Sequence, residues 1–236
     1  MSTIPYHTSS VEHIHSYIDS IIIYHTMPSS PDLSTTVAGL HLPTCLYNAS
    51  GPRSGNSTVL HKVAASTGTG AVLSKSATLA AQVGNPQPRT HHAAAGGASF
   101  NSEGLPNNGI DYYIAPENID EILQGISTAH KPYIVSLSGK TLADNLEMLQ
   151  RIAKAQNNSK IAAIELNLAC PNIIGKPIIA YDVTQMRDIL QAVRNEISQS
   201  KALQTIPLGI KLAPYLDMVL LGQVAALINE FKDNTV

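Results

Sequence analysis

Cys170 lies between Asn167 and Asn172 in the stretch Glu165–Asp182, which reads ELNLACPNIIGKPIIAYD. Cysteine is among the most buried residue types and mostly behaves as a small hydrophobe. This one follows an apolar run, sits in a polar turn and directly precedes Pro171. A thiol, with an ordinary pKa of about 8.5, can act as a nucleophile or as a proton-abstracting base. No neighbouring Cys or His offers metal-ligand spacing, and no His follows where a Cys-His hydrolase dyad would need one. The amides of Asn167 and Asn172 suit the ring edge of a planar heterocycle, although turn capping is their commoner use. Lys75 and Lys211 each end a short apolar run. A lysine so placed can stabilise a developing anion or the electron-rich edge of a reduced flavin, or it can snorkel from a sheet rim to water. Ser76 follows Lys75, and Ala49-Ser50-Gly51 supplies small residues where a flat cofactor would need close approach to the backbone.

These residues need elements that bring them to one place. Apolar runs bounded by turn residues read as strands over Val37–Leu42, Thr44–Asn48, Ala71–Ser74, Pro132–Leu137, Ile161–Leu166 and Ile206–Leu212, the first belonging to an N-terminal hairpin. Helical periodicity marks Ser57–Ser66, Glu117–Thr128, Thr141–Ala155, Tyr181–Ser198 and Asp217–Phe231. Thr141 and Asp182 are placed to cap two of them. Thr67–Gly70 (TGTG) follows a helix and precedes a strand, the reverse of a dinucleotide fingerprint, so it reads as a helix C-cap. Ala77–Ile114 is dense in Gly, Asn, Pro and His and reads as an ordered excursion over the active-site face. Strand-then-helix alternation, about five times over, implies a parallel sheet with right-handed crossovers. A doubly wound sheet and a (β/α)8 TIM barrel both fit. Polar residues ending several strands on one rim favour the barrel, of which about five units are present.

The 236 residues carry a formal charge of −2 and 44% hydrophobic residues, which allows one large α/β domain and argues against nucleic acid or an anionic membrane as partner. No run of about 18 apolar residues suggests a membrane span. The two cysteines, Cys45 and Cys170, make no disulfide framework, and Cys45 reads as a packing residue. Residues 1–33 read as an N-terminal extension with a short amphipathic helix over Val11–Tyr24, ahead of a barrel domain over 34–236. His13 and His15 lack a third ligand, so no metal site is expected.

ELNLACPNIIGKPIIAYD resembles the signature of class 1A dihydroorotate dehydrogenases, the soluble, fumarate-using flavin enzymes of pyrimidine biosynthesis. YNASGP, VLSKSAT, GNPQPR, NSEGLPNNGIDYY and LGIKLAPYLD are similar to the family's text in the family's order. The resemblance implies a TIM barrel, FMN as cofactor, dihydroorotate/orotate and fumarate/succinate as substrates and products, a homodimer and a cytoplasmic location. It implies Cys170 as the catalytic base and Lys75, Asn101, Glu103, Gly104, Leu105, Asn167 and Asn172 as substrate contacts. Ala49, Ser50, Gly51, Lys75, Ser76, Asn167 and Lys211 are implied at the flavin.

Three departures stand out. Ala81-Gln82-Val83 replaces an arginine that often precedes GNP, and Ala169 replaces a frequent serine. Glu103 stands where an apolar residue is usual and is expected to repel an anionic substrate carboxylate. The family also continues past this point with a further asparagine-serine motif and glycine-rich phosphate turns, so the barrel is expected to be C-terminally incomplete. Two other readings stand beside the enzyme. One is a catalytically inactive truncated fragment unable to hold FMN. The other is a different FMN barrel reductase acting on a uracil-like ring.

Overall fold

The structure, a computed structural model, describes residues 31–93, 97–127, 131–155, 158–170 and 178–232. The Val11–Tyr24 helix, His13, His15 and Asn172 lie outside the described residues. The chain's own contacts divide it between Leu33 and Ser34, and the architecture below is that of Ser34 onward.

The chain opens with an antiparallel hairpin of β1 (Thr35–Val37) and β2 (Leu40–Leu42). Ala38 and Gly39 between them have φ of 49° and 78°, the positive values that a tight hairpin turn requires. That turn breaks what the sequence suggests as one strand over Val37–Leu42. Thr44–Asn48 is not a strand either. Its main chain meets the sheet through Leu46, whose carbonyl accepts from Gly70 N at 2.7 Å. The Asn48 side chain completes the join. Its amide accepts from Leu73 N at 2.9 Å and donates to Leu73 O at 2.7 Å, so one side chain supplies both halves of a ladder rung.

Helix α1 (Ser57–Ala65) follows, with Asn56 capping it by accepting from Val59 N at 2.9 Å. Its C-cap is Ser66, not the TGTG glycines. Gly70 serves close approach instead: a Cβ there would stand 1.8 Å from Thr44 O. After β3 (Val72–Leu73) the long excursion contains its own hairpin, β4 (Thr90–His92) with β5 (Ser99–Asn101), and ends in a short helix α2 (Ile110–Ile114). Helix α3 (Pro116–Ile122) is shorter than its periodicity suggests, because Leu123 leaves helical geometry.

Then come β6 (Tyr133–Leu137), α4 (Leu142–Lys154), β7 (Ile161–Asn167), α5 (Val183–Ser198), the four-residue α6 (Lys201–Gln204), β8 (Leu208–Lys211) and α7 (Met218–Lys232). Thr141 and Asp144 form a full capping box on α4, with bonds of 3.1 and 3.2 Å, a cap of the kind that contributes about 1 kcal/mol. Asp182 caps α5, accepting from Gln185 N at 2.9 Å.

β3, β6, β7 and β8 form one parallel sheet in that order. Each strand lies beside the next in sequence, with no reversal. A doubly wound sheet reverses its order at a switch point, whereas a barrel keeps the order running one way. The fold is α/β, a partial (β/α)8 barrel. Ile164 and Leu166 of β7 bury with Tyr133, Met148, Ile152 and Met186 in the layer between sheet and helices. Glu165 and Asn167 alternate with them and face the other side, as the period of two requires. Beyond the sheet, Met218 and Val219 of α7 are exposed at 73% and 70%.

Candidate active site

Strand register decides what meets on the polar face. Ser136 of β6 pairs with Glu165 of β7, and Asn167 of β7 pairs with Lys211 of β8. The segment after β3 lies against β6, with Ala77 N donating to Ser136 O at 2.8 Å, and this brings Lys75 and Ser76 to the same rim. Ser50, on the segment that Asn48 ties to β3, completes the group.

Ser50 is the meeting point. Lys75 Nζ donates to Ser50 O at 3.3 Å, and Lys211 Nζ stands 3.5 Å from Ser50 Oγ. Ser76 Oγ donates to Ser50 Oγ at 3.0 Å, and Asn167 Nδ2 donates to Ser76 Oγ at 2.9 Å. The other end of the Asn167 amide accepts from Ala169 N at 3.1 Å, fixing the residue before Cys170. Residues whose positions in the chain range from 50 to 211 thus surround one small hydroxyl.

Lys75 is buried, and burial is the main cause of its lowered pKa. The Glu103 carboxylate and Cys170 pull in the opposite direction, while Lys211 and Arg89 add to the lowering. Cys170 is half-buried and opens on a cavity of about 530 Å³ whose walls include Ser138, Lys140, Asn145, Asn167 and Gln185. That volume lies within the usual range for small-ligand sites.

The excursion's hairpin supplies Glu103. This side chain is buried and does not carry a free charge: Arg89 Nε lies 3.0 Å from one carboxylate oxygen, and Thr90 Oγ1 donates to the other at 2.7 Å. Arg89 is held in turn by the carbonyls of Val83 and Asn85, at 2.8 and 3.2 Å. Arg89 therefore offsets the Glu103 charge within the protein. Gly104 and Leu105 follow at φ of 69° and 56°. A Cβ at Gly104 would stand 2.5 Å from the Asn85 side chain, so both space and backbone demand glycine. Leu105 is buried, whereas Asn101 is exposed at the end of β5.

Two further sequence candidates, Ala49 and Gly51, flank Ser50 in the chain. Ala49 is exposed and Gly51 half-buried, and a Cβ on Gly51 would meet nothing closer than Ala49 O at 4.0 Å, so close packing does not explain that glycine. Cys45 is exposed and does not pack. Among the described residues no group of three or more His, Cys, Asp or Glu is placed to hold a metal, and no helix is long and apolar enough to cross a membrane. Sequence reasoning missed Asn48, Ser136, Glu165 and Arg89. Ser136 left a signal, as a hydroxyl inside the apolar strand YIVSL. Arg89 left none, because its partner is set by hairpin register.

A flavin makes specific demands: hydrogen-bonding groups for its ring edge, cations for its reduced form and room beside a reacting side chain. Lys75, Lys211, Asn167 and Ser76 supply donors and positive charge together beside Ser50, and Asn167 links this group to the cavity at Cys170, whose other walls come from the turn after β6 and from α4 and α5. These residues fit such a group.

The family model described as dihydroorotate dehydrogenase matches residues 32–235. The chain is 37% identical over 199 residues to a putative dihydroorotate dehydrogenase A (fumarate) of Streptococcus agalactiae, covering 84% of this chain and 59% of that one. It is 36% identical over 201 residues to dihydroorotate dehydrogenase A (fumarate) of Lactococcus lactis, with the same coverage of 84% and 59%. To the dihydroorotate dehydrogenase (fumarate) of Trypanosoma cruzi it is 39% identical over 166 residues, 69% of this chain and 47% of that one. Among solved structures, the Eimeria tenella enzyme DHODH in complex with ferulenol superposes with a TM-score of 0.67 at 20% identity, covering 97% of this chain and 66% of that one, a likeness of fold. The chain spans between about half and three-fifths of the length of the curated relatives it matches. By the family match and these identities, the chain belongs to the flavin-dependent dihydroorotate dehydrogenase family.

Proposed function

We propose that the site oxidises (S)-dihydroorotate to orotate with FMN as the electron carrier and fumarate as the final acceptor, a step of pyrimidine biosynthesis. The observation that carries this reading is the convergence of Lys75, Ser76, Asn167 and Lys211 on Ser50, with Cys170 opening on the adjoining cavity. Forming a double bond between C5 and C6 of the ring requires removal of a proton beside a carbonyl and departure of a hydride from the next carbon. When bound, FMN would supply the two-electron acceptor for that hydride and, once reduced, the electron donor for conversion of fumarate to succinate.

The chain's residues do the rest. The Cys170 thiolate takes the C5 proton. Asn167 and Asn172 hold the pyrimidine edge, with Asn101, Glu103, Gly104 and Leu105 forming the loop that covers it. Lys75 and Lys211 balance negative charge at the ring edge. Ala49, Ser50, Gly51 and Ser76 form the floor on which the flavin ring would lie. A homodimer in the cytoplasm, acting without nucleic acid or membrane, belongs to the same proposal.

The test compares reductants. With FMN-loaded protein under anaerobic conditions, dihydroorotate should bleach the flavin absorbance and dihydrouracil should not. Bleaching by dihydrouracil alone would instead assign a reductase of uracil-like rings.

A further inference from the structure

Asn107 lies just after Gly104 and Leu105, and the proposed reaction gives it no role. Its side chain is buried and uses every donor and acceptor that an amide has. Oδ1 accepts from Thr78 N at 3.1 Å and from Gly109 N at 2.8 Å. Nδ2 donates to Leu105 O and to Thr78 Oγ1, both at 2.9 Å. The Thr78 hydroxyl has one proton, and Ala80 O at 2.6 Å is a closer acceptor for it than Asn107 Oδ1 at 3.2 Å. Thr78 Oγ1 is therefore free to accept from Asn107. Only one orientation of the amide satisfies this set. Turned over, its nitrogen would face two N–H donors and its oxygen would face the Leu105 carbonyl.

Leu105 has φ of 56°, a left-handed value that a bulky side chain keeps only where its surroundings hold it there. Thr78, at the other end of the clamp, continues the segment that carries Lys75 and Ser76. That segment is fixed to β6, since Ala77 N donates to Ser136 O and Ser138 N donates to Ala77 O, both at 2.8 Å. The main chain of Asn107 is itself anchored by two bonds with Gln82, at 2.8 and 3.0 Å. We propose that Asn107 is a positioning residue, holding the strained Gly104–Leu105 turn at a set place relative to Lys75 and Ser76. Its consequence, an effect on affinity for the dihydropyrimidine that spares affinity for the flavin, rests on the proposed function. The hold on the turn does not.

Two variants separate the Leu105 bond from the rest of the clamp. Asn107→Asp, ionised at alkaline pH, keeps both acceptor contacts and loses both donor contacts, whereas Asn107→Ala loses all four. Amide hydrogen exchange of the full chain without ligand should quicken about tenfold over residues 103–109 in both variants, with β6 and β7 keeping wild-type rates. Wild-type exchange in Asn107→Asp, or equal quickening across the sheet, would overturn the proposal. With FMN-loaded protein, orotate titrated against the flavin absorbance should bind about tenfold more weakly to both variants while FMN affinity holds. Parallel loss of orotate and FMN would make Asn107 a residue of the fold alone, and would also overturn it. A wild type that binds no orotate counts against the proposed reaction, and the exchange rates then decide the proposal. Should neither variant fold, the Asn107 side-chain amide protons of nitrogen-15-labelled wild type decide it. Slow exchange with solvent is expected, and exchange at the rate of a free amide would contradict the clamp.

Discussion

Asn167 Nδ2 donates to Ser76 Oγ at 2.9 Å, tying the end of β7 to the residue that follows Lys75. The same amide accepts from Ala169 N at 3.1 Å. One side chain thus sets both the floor beside Ser50 and the entry to the Cys170 turn. Asn167→Ala should weaken FMN binding at least tenfold, since two bonds of roughly 1 kcal/mol each are lost. Fluorescence quenching of free FMN on titration with protein measures it, and Asn167→Asp should recover only part of the loss because it accepts but cannot donate to Ser76.

Arg89 and Glu103 form a largely buried pair at 3.0 Å, with side-chain exposures of 20% and 12%. Removing one partner strands the other charge, which typically costs about 3–5 kcal/mol, whereas replacing both by apolar residues is often neutral. Arg89→Leu should therefore lower the urea midpoint clearly. The double variant Arg89→Leu/Glu103→Met should regain most of it. A double variant no better than the single would show that Arg89 acts through Val83 and Asn85 and not through Glu103.

Burial holds the Lys75 pKa below its ordinary 10.5. Between the folded value and the ordinary one, the unfolded chain binds more protons than the folded chain, so stability rises with pH across that window. The penalty is complete below the folded value. Lys75→Met should accordingly melt higher than wild type at neutral pH, and its lead should shrink as pH climbs toward 10. Thermal melts at several pH values check this, and the variant should bind FMN less well despite its added stability.

Cys170→Ser replaces the thiol by a group far harder to ionise. Flavin reduction by dihydroorotate should slow by about 10²–10⁴-fold, the usual contribution of a positioned base, and its pH dependence should move upward. Stopped-flow absorbance of FMN-loaded protein reads both.

The long elements were legible in the sequence because one physical signal dominated each. β7 shows as an apolar run ending in a polar turn, and within a strand Glu165 and Asn167, two residues apart, share a face. Thr141 and Asp144 carry the spacing of a capping box, and the box is present. Thr44–Asn48 misled because its pattern suits a strand while its link to β3 runs through the Asn48 side chain. Thr67–Gly70 misled for a different reason: Gly70 is needed for contact with Thr44, which lies earlier in the chain, and not for a helix end. Glu103 shows the same limit at the site. Its type was plain, but the charge that neutralises it arrives through the β4–β5 register, which no local pattern records.

The most direct test of the central claim is product balance. Purified protein supplied with FMN, dihydroorotate and fumarate should yield orotate and succinate in equal amounts, and Cys170→Ser should nearly abolish both. Protein that holds FMN yet forms neither product, or a Cys170→Ser variant that forms both at the wild-type rate, would contradict the account.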